Sequence, residues 1–139
     1  MRVNFLSNNI CGNIHILWKV MLAARYRFHG HGSLRFVYAK GRVARSKYFV
    51  CKFTHNSRRT NPRVAVVISK KVVKSAVKRN RIRRRLYEAI RLELSNMVPQ
   101  SDIVFVVVSP ELLTIPSIEL TDVLQRIIAQ AGLYKSGKS

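Results

Sequence analysis

The chain has 139 residues, 47% of them hydrophobic, and carries 26 Lys and Arg against 6 Asp and Glu for a formal net charge of +20. That apolar content is enough to build the core of one domain and excludes a disordered polycation. The charge imbalance is the footprint of a polyphosphate binder, and it argues against a thermophile-type surface network, which needs both signs interspersed.

The two signs are also segregated. The first carboxylate is Glu88, so 22 of the 26 cations lie in a stretch that can form no ion pair within itself. A membrane surface is the other common polyanion, but it is read by basic helices beside exposed Trp, Phe and Leu, and the most basic segment here is poor in aromatics. Nucleic acid is favoured. Cys11 and Cys51 are too few for a disulfide framework, and neither has a Cys or His at metal-ligand spacing. His29 and His31 flank Gly30 and read as a polar loop.

Residues 1–24 read as an N-terminal extension, disordered or lying ahead of the functional start, with a compositional change near Met21. Within it IHILWKVMLAA is interrupted by His15 and Lys19 and falls short of the roughly 20 apolar residues a membrane span needs, so neither a span nor a signal peptide is expected. A cytoplasmic protein is the expectation. Residues 25–32, RYRFHGHG, read as loop. Ser33 then caps a short helix, SLRFVYAKG, in which Leu34, Val37 and Tyr38 share a face and Gly41 closes the end. Two β-rich runs follow, residues 47–54 and 63–69, joined by the turn-forming HNSRRTNP; an antiparallel pair is predicted.

The period then changes. In KKVVKSAVKRNRIRRRLYEAIRLELSNM, residues Ile82, Leu86, Ala89, Ile90, Leu94 and Met97 form one stripe at helical spacing, and Pro99 ends the segment. Asn80, Arg84 and Arg91 lie opposite the stripe, Arg81 and Arg85 on one flank and Arg83 on the other. Between residues 77 and 91 seven cations face one carboxylate, Glu88, so repulsion opposes this helix unless a partner outside the chain neutralises it. Residues 102–109, DIVFVVVS, have the pattern of a strand buried on both faces. SPELLTIP is a loop, and Ser117 opens a last helix with a stripe of Leu120, Val123, Leu124, Ile127, Ile128 and Ala131. The tail LYKSGKS is expected to fray. This order predicts an α/β two-layer sandwich, helices on a small mixed sheet, as one domain over residues 25–134 with a disordered tail at 135–139.

Arginine outnumbers lysine in the basic helix, which suits phosphate because the guanidinium fork binds it bidentately and stacks on bases. Asn80 fits either a base-edge contact or a helix cap. A second candidate surface joins the sheet face to the first helix: Tyr38, Phe49 and Lys52, with Val64 and Val66, suit a groove for a single strand. Tyr38 and Phe49 suit the core equally well. Carboxylates for metal-assisted cleavage are too dispersed: Asp102 reads as a strand start, and Glu119 and Asp122 suit the positive end of the last helix.

The segment SKKVVKSAVKRNRIRRRLYEAIR resembles the signature of the bacterial ribonuclease P protein component. In that family a strand ends in Ser-Lys-Lys, here Ser69, Lys70 and Lys71, and a short connection leads to an Arg-Asn-Arg helix, here Arg79, Asn80 and Arg81. FVYAKG is similar to the family's first helix end, with Tyr38 in the aromatic position. The chain departs from the pattern at Ser33 and Leu34, where Asp-Phe is usual, after Lys70 and Lys71, where many members place a Gly and Val72, Val73 and Lys74 follow here, and at Tyr87, where Arg is common. In element order the resemblance covers residues 26–134, with the sharp motif confined to 64–91.

The resemblance implies a ribosomal protein S5 domain 2-like sandwich with a left-handed βαβ crossover. It implies the protein subunit of a ribonucleoprotein endonuclease that removes the 5′ leader from precursor tRNA, in a 1:1 complex with ribonuclease P RNA. Catalysis would belong to the RNA, with Mg2+ held by RNA and substrate and by no protein site. The residues it assigns to the catalytic RNA are Lys70, Lys71, Lys74, Lys78, Arg79, Asn80, Arg81, Arg83, Arg84 and Arg85. The residues expected to form the leader cleft are Leu34, Tyr38, Phe49, Lys52, Val64 and Val66; of the two aromatics the resemblance favours Tyr38 for this role and leaves Phe49 open. Two rival readings are a structural RNA binder such as a small ribosomal protein, and a DNA-binding helix-turn-helix, which would lack its partner helix.

Overall fold

The computed structural model describes residues 24–28 and 32–135, so the extension expected at 1–24 lies almost wholly outside the described residues. Helix α1 spans Gly32–Lys40, with Ser33 inside its first turn. The chain then turns at Gly41, whose amide donates to the Val37 carbonyl at 2.8 Å. A Cβ on Gly41 would stand 2.3 Å from that carbonyl oxygen. The glycine is required by this close approach and not by a left-handed backbone, since among the described residues only Gly132 has positive φ.

Strand β1, Arg42–Arg45, had no clear sequence signal; it hairpins back through Ser46 onto β2, Phe49–His55. Strand β3 spans Arg63–Ile68 and helix α2 spans Ala76–Glu93. Strand β4, Ser101–Val107, is followed by a short 3-10 turn at Pro110–Leu113 and by helix α3, Ser117–Gln130.

The sheet order is β1-β2-β4-β3. The expected antiparallel pairing of residues 47–54 with 63–69 is therefore corrected: β4 lies between them, antiparallel to β2 and parallel to β3. The reason is visible in DIVFVVVS. A strand apolar on both sides satisfies itself only at the centre of a sheet covered on both faces, and six of the seven β4 residues, all but Val106, are less exposed than 4%. Strands β3 and β4 with α2 between them make up the parallel βαβ unit to which the resemblance assigns its crossover.

Side chains paired across the sheet share a face. One face carries Ala44, Phe49, Cys51, Phe53, Val64, Val66, Ile68, Ile103, Phe105 and Val107, and helices α2 and α3 cover it. The predicted α2 stripe of Ile82, Leu86, Ala89, Ile90, Leu94 and Met97 is buried there, as is the α3 stripe, with Val123 half-buried. Each fully buried Ile or Leu in these stripes contributes about 1.5–3 kcal/mol of apolar transfer energy, enough to hold a helix whose outer charges repel. Phe49 and Phe105 meet edge to face, ring centroids 5.5 Å apart.

The opposite face carries Val50, Lys52, Thr54, Arg63, Ala65, Val67, Asp102, Val104 and Val106. Helix α1 packs across β2 and β4 on this side, and Val37 and Val104 are fully buried. The outer edge of β3 is blunted by Arg27, which bridges to Val64, and by Tyr87, whose hydroxyl accepts the Val66 amide at 3.3 Å.

The start of the tail is anchored, contrary to the expected fraying. Leu133 is buried, the Tyr134 hydroxyl donates to Glu93 at 2.8 Å, and the Lys135 amide donates to the Asn96 carbonyl at 2.8 Å. Burial and the bond to Glu93 push the Tyr134 hydroxyl up, so it remains a protonated donor. Glu93 itself is buried and also accepts from Gln125 at 2.9 Å. Residues 136–139 lie outside the described residues.

Candidate nucleic-acid interface

The basic surface begins at the end of β3. Lys70, Lys71 and Lys74 stand exposed on the turn between β3 and α2, and Ser75 caps α2 by accepting the Lys78 amide at 3.3 Å. Ser75 thus fills the cap that was one of two options for Asn80, which lies inside the helix and accepts from Arg83 at 3.1 Å. Lys78, Asn80, Arg81 and Arg84 are exposed; Arg79, Arg83 and Arg85 are half-buried. All ten predicted residues therefore lie on the turn and the N-terminal half of α2.

They do different work there. Arg79 donates to the carbonyls of Val73 at 2.9 Å and Lys74 at 2.8 Å, clamping the turn to the helix that follows. Arg85 donates to the Leu112 carbonyl at 2.6 Å and also to the Ile115 carbonyl, tying α2 to the 3-10 turn after β4. Lys70, Lys71, Lys74, Lys78, Arg81 and Arg84 make no such bonds. None of the ten meets a carboxylate of the described residues within 4.0 Å; the ion pairs among those residues are Lys47–Glu111, Arg63–Asp102, Arg91–Glu88 and Arg126–Asp122. The carboxylate-free stretch thus finds partners downstream for Lys47 and Arg63 and leaves the start of α2 uncompensated.

The second surface is the face of the sheet beside α1. Tyr38 is 38% exposed, and the Lys52 ammonium sits 4.7 Å from its ring centroid. Partial burial pushes the Tyr38 hydroxyl up, so the ring presents a neutral phenol. Leu34 is half-buried on the same helix. Phe49, Val64 and Val66 do not line this surface: they are 0%, 1% and 6% exposed and point into the helix-covered core. Strand parity is the cause, since a one-residue step in β2 or β3 changes faces. Besides Lys52 and Thr54, the half-buried residues on the open face are Val50, Ala65, Val67 and Val106, none of these four expected from sequence. Within β2 the signal was available, since Val50 stands two residues from the outward-facing Lys52 and shares its parity, whereas Ala65, Val67 and Val106 follow only from the register of β3 and β2 against β4.

Among the described residues no three His, Cys, Asp or Glu side chains converge where a metal ion could be held. No helix among them is long and apolar enough to cross a membrane. Burial pushes the Cys51 thiol up to about 12, which leaves it an inert core residue.

The family model described as Ribonuclease P matches residues 22–132. The chain belongs to the ribonuclease P protein family. Among curated proteins, the ribonuclease P protein component of Chloroflexus aurantiacus is 35% identical over 108 residues, covering 78% of each chain. That of Pseudanabaena is 37% identical over 112 residues, covering 80% of this chain and 95% of the relative. Solved ribonuclease P proteins share the fold. The Staphylococcus aureus structure superposes with a TM-score of 0.70 at 22% identity, covering 79% of this chain and 98% of that one. The Thermotoga maritima structure gives 0.66 at 20% identity, covering 75% and 96%.

Membership makes the chain a ribonuclease P protein component, a subunit in tRNA 5′ processing whose partners are ribonuclease P RNA and the tRNA substrate. The ribosomal-protein and helix-turn-helix readings give way to it. The mixed α/β sandwich expected from the element order is the fold of the ribonuclease P proteins it superposes on.

Proposed function

We infer that the chain divides its work between two surfaces of ribonuclease P. The free cations Lys70, Lys71, Lys74, Lys78, Arg81 and Arg84, with Asn80 and Arg83 beside them, bind the backbone of the catalytic RNA. Each phosphate neutralised releases counterions, so affinity falls with salt by roughly 0.7–0.9 log units per contact for each tenfold change. Arg79 and Arg85 hold the shape of that surface. The open sheet face, with Tyr38, Lys52 and Leu34, receives the unpaired 5′ leader, stacking a base on Tyr38 while Lys52 leaves the ring for a phosphate.

The chemistry resides in the RNA. Hydrolysis of the phosphodiester proceeds with Mg2+ held by RNA and substrate, and the protein contributes by binding, orienting and screening charge between two polyanions. One copy of the chain joins one RNA, in the cytoplasm. The observation that carries this reading is the row of exposed cations on the turn and on α2 that no carboxylate of the described chain compensates.

Reconstitution tests it. Added to ribonuclease P RNA and precursor tRNA at low magnesium, the protein is expected to raise cleavage and to produce the mature 5′ end. No gain in cleavage, or binding to ribosomal RNA alone, overturns the assignment.

A further inference from the structure

The candidate RNA-binding residues, Lys70 to Arg85, are enclosed by one hydrogen bond. The Val66 amide of β3 donates to the Tyr87 hydroxyl of α2 at 3.3 Å, closing a loop between residues 21 apart in sequence. Among the described residues no other hydrogen bond joins α2 to a strand. The helix's remaining polar links run to the turn before it through Arg79, to the segment after β4 through Arg85, and to α3 and the tail through Glu93. What else seats α2 on the sheet is its apolar stripe. Hydrophobic burial has no direction, whereas a hydrogen bond weakens steeply when misaligned, so this one bond pins where along β3 the helix sits.

The strand end of this clasp belongs to the other surface. Val66 points into the core, but Ala65 and Val67 on either side of it turn to the open face, where both are half-buried. Because β3 is the outermost strand, β4 serves only one of its sides, and the phenol supplies the Val66 amide with the acceptor that a further strand would have brought. Tyr87 is buried. Burial pushes its hydroxyl up against the opposing effects of the Val66 bond and the charges of Arg83 and Arg27, so it remains a neutral phenol. Lys or Arg at this point of the helix would have no lone pair to offer the amide. The basic helix thus gives up a cation here for a fixed seat.

We propose that Tyr87 is a positioning residue for substrate recognition: through Val66 it fixes the spacing between the cations that grip the catalytic RNA and the open face that receives the leader. Tyr87 contacts neither nucleic acid. With α2 docked on the RNA, the clasp presents β3, and the open face with it, at one place relative to the bond to be cut. The inference rests on the two-surface reading and goes beyond it by naming the bond that joins the surfaces.

The test uses holoenzyme reconstituted with ribonuclease P RNA, offered precursor or mature tRNA. Tyr87→Phe keeps the buried ring and deletes only the acceptor. Its affinity for the catalytic RNA and the salt slope of that affinity should stay as in the wild type, because no phosphate contact is lost. Binding of mature tRNA should also be unchanged, while affinity for precursor tRNA falls about fivefold, the worth of one ordinary hydrogen bond. In a cycle with Tyr38→Ala the two losses on precursor tRNA should be less than additive, since both act on the leader contact. Additive losses, or equal losses on precursor and mature tRNA, overturn the proposal and leave Tyr87 a stability residue. Should Tyr87→Phe melt below the assay temperature, hydrogen exchange in the wild-type holoenzyme decides: the Val66 amide should exchange slowly and slow further when the catalytic RNA binds, and exchange at the rate of an unbonded amide overturns the clasp. If Tyr38→Ala acts on precursor tRNA and Tyr87→Phe does not, only the clasp falls; if Tyr38→Ala has no effect either, the two-surface reading falls with it.

Discussion

Arg63 on β3 and Asp102 on β4 face each other across the parallel strand pair as a bidentate ion pair, and both are more than 90% buried. Burial alone would push the Asp102 carboxyl up. The hydrogen bonds from Arg63 and Asn56, with the charges of Arg63 and Arg59, outweigh it and hold the carboxyl below the usual range. A carboxyl depressed in the folded state stabilises the protein above its unfolded value of about 3.9, and loses that contribution as acid carries the pH down through the folded value. Asp102→Asn should therefore flatten the acid limb of the stability curve below roughly pH 5, read by urea melts over a pH series.

Removing one partner leaves the other charge buried and uncompensated. Asp102→Ala should cost about 3–5 kcal/mol, whereas Arg63→Met combined with Asp102→Leu should cost much less. Chemical denaturation of the two variants decides between them.

Arg85 and Arg84 are neighbours in sequence with separate duties. Arg85→Ala removes the donor to the Leu112 and Ile115 carbonyls and should lower stability by about 1–3 kcal/mol, with the salt slope of RNA binding unchanged. Arg84→Ala should leave the melting temperature alone and reduce the magnitude of that slope by roughly one unit. Binding isotherms across a salt series, beside thermal melts, separate the two.

A double set of variants tests the division between surfaces. Changing Lys78, Arg81 and Arg84 together to Ala should weaken binding to the catalytic RNA whether or not substrate is present. Tyr38→Ala should act only on substrates with a leader, by about 1–3 kcal/mol. Equal defects on precursor and mature tRNA for both would show that the surfaces are not distinct.

Gly41→Ala places a Cβ 2.3 Å from the Val37 carbonyl oxygen, so either α1 unwinds at its end or the hairpin shifts. A lowered melting temperature together with weaker leader binding is the expected outcome, because Tyr38 lies in that last turn of α1. Unchanged melting would show that the turn yields freely.

The helices were legible because their burial pattern is local. Six stripe residues from Ile82 to Met97 recur at helical spacing, and the cations between them are tolerated only on the outside. The centrality of β4 was legible in part, from its two apolar faces, but its neighbours were not, since pairing joins residues distant in sequence. Phe49, Val64 and Val66 were misplaced for a related reason. Residues 64–68, VAVVI, are apolar at every position, so alternation carries no mark of which side meets the helices, and the answer comes from register against β4. Phe28 was hidden because nothing in RYRFHGHG shows that the Arg63 guanidinium would lie 4.7 Å from its ring centroid.

The sheet order has a consequence for how the protein is made. β4 is the last strand to leave the ribosome, yet it lies between β2 and β3, which have no contact with each other in the sheet. Until translation has passed Val107, the nascent polypeptide exposes two apolar strands and a cationic segment whose apolar stripe has no completed sheet to dock on. Closure of the sheet is thus delayed by its own topology, as long-range pairing generally is, and the strongest polyanion-seeking element emerges before the domain can fold.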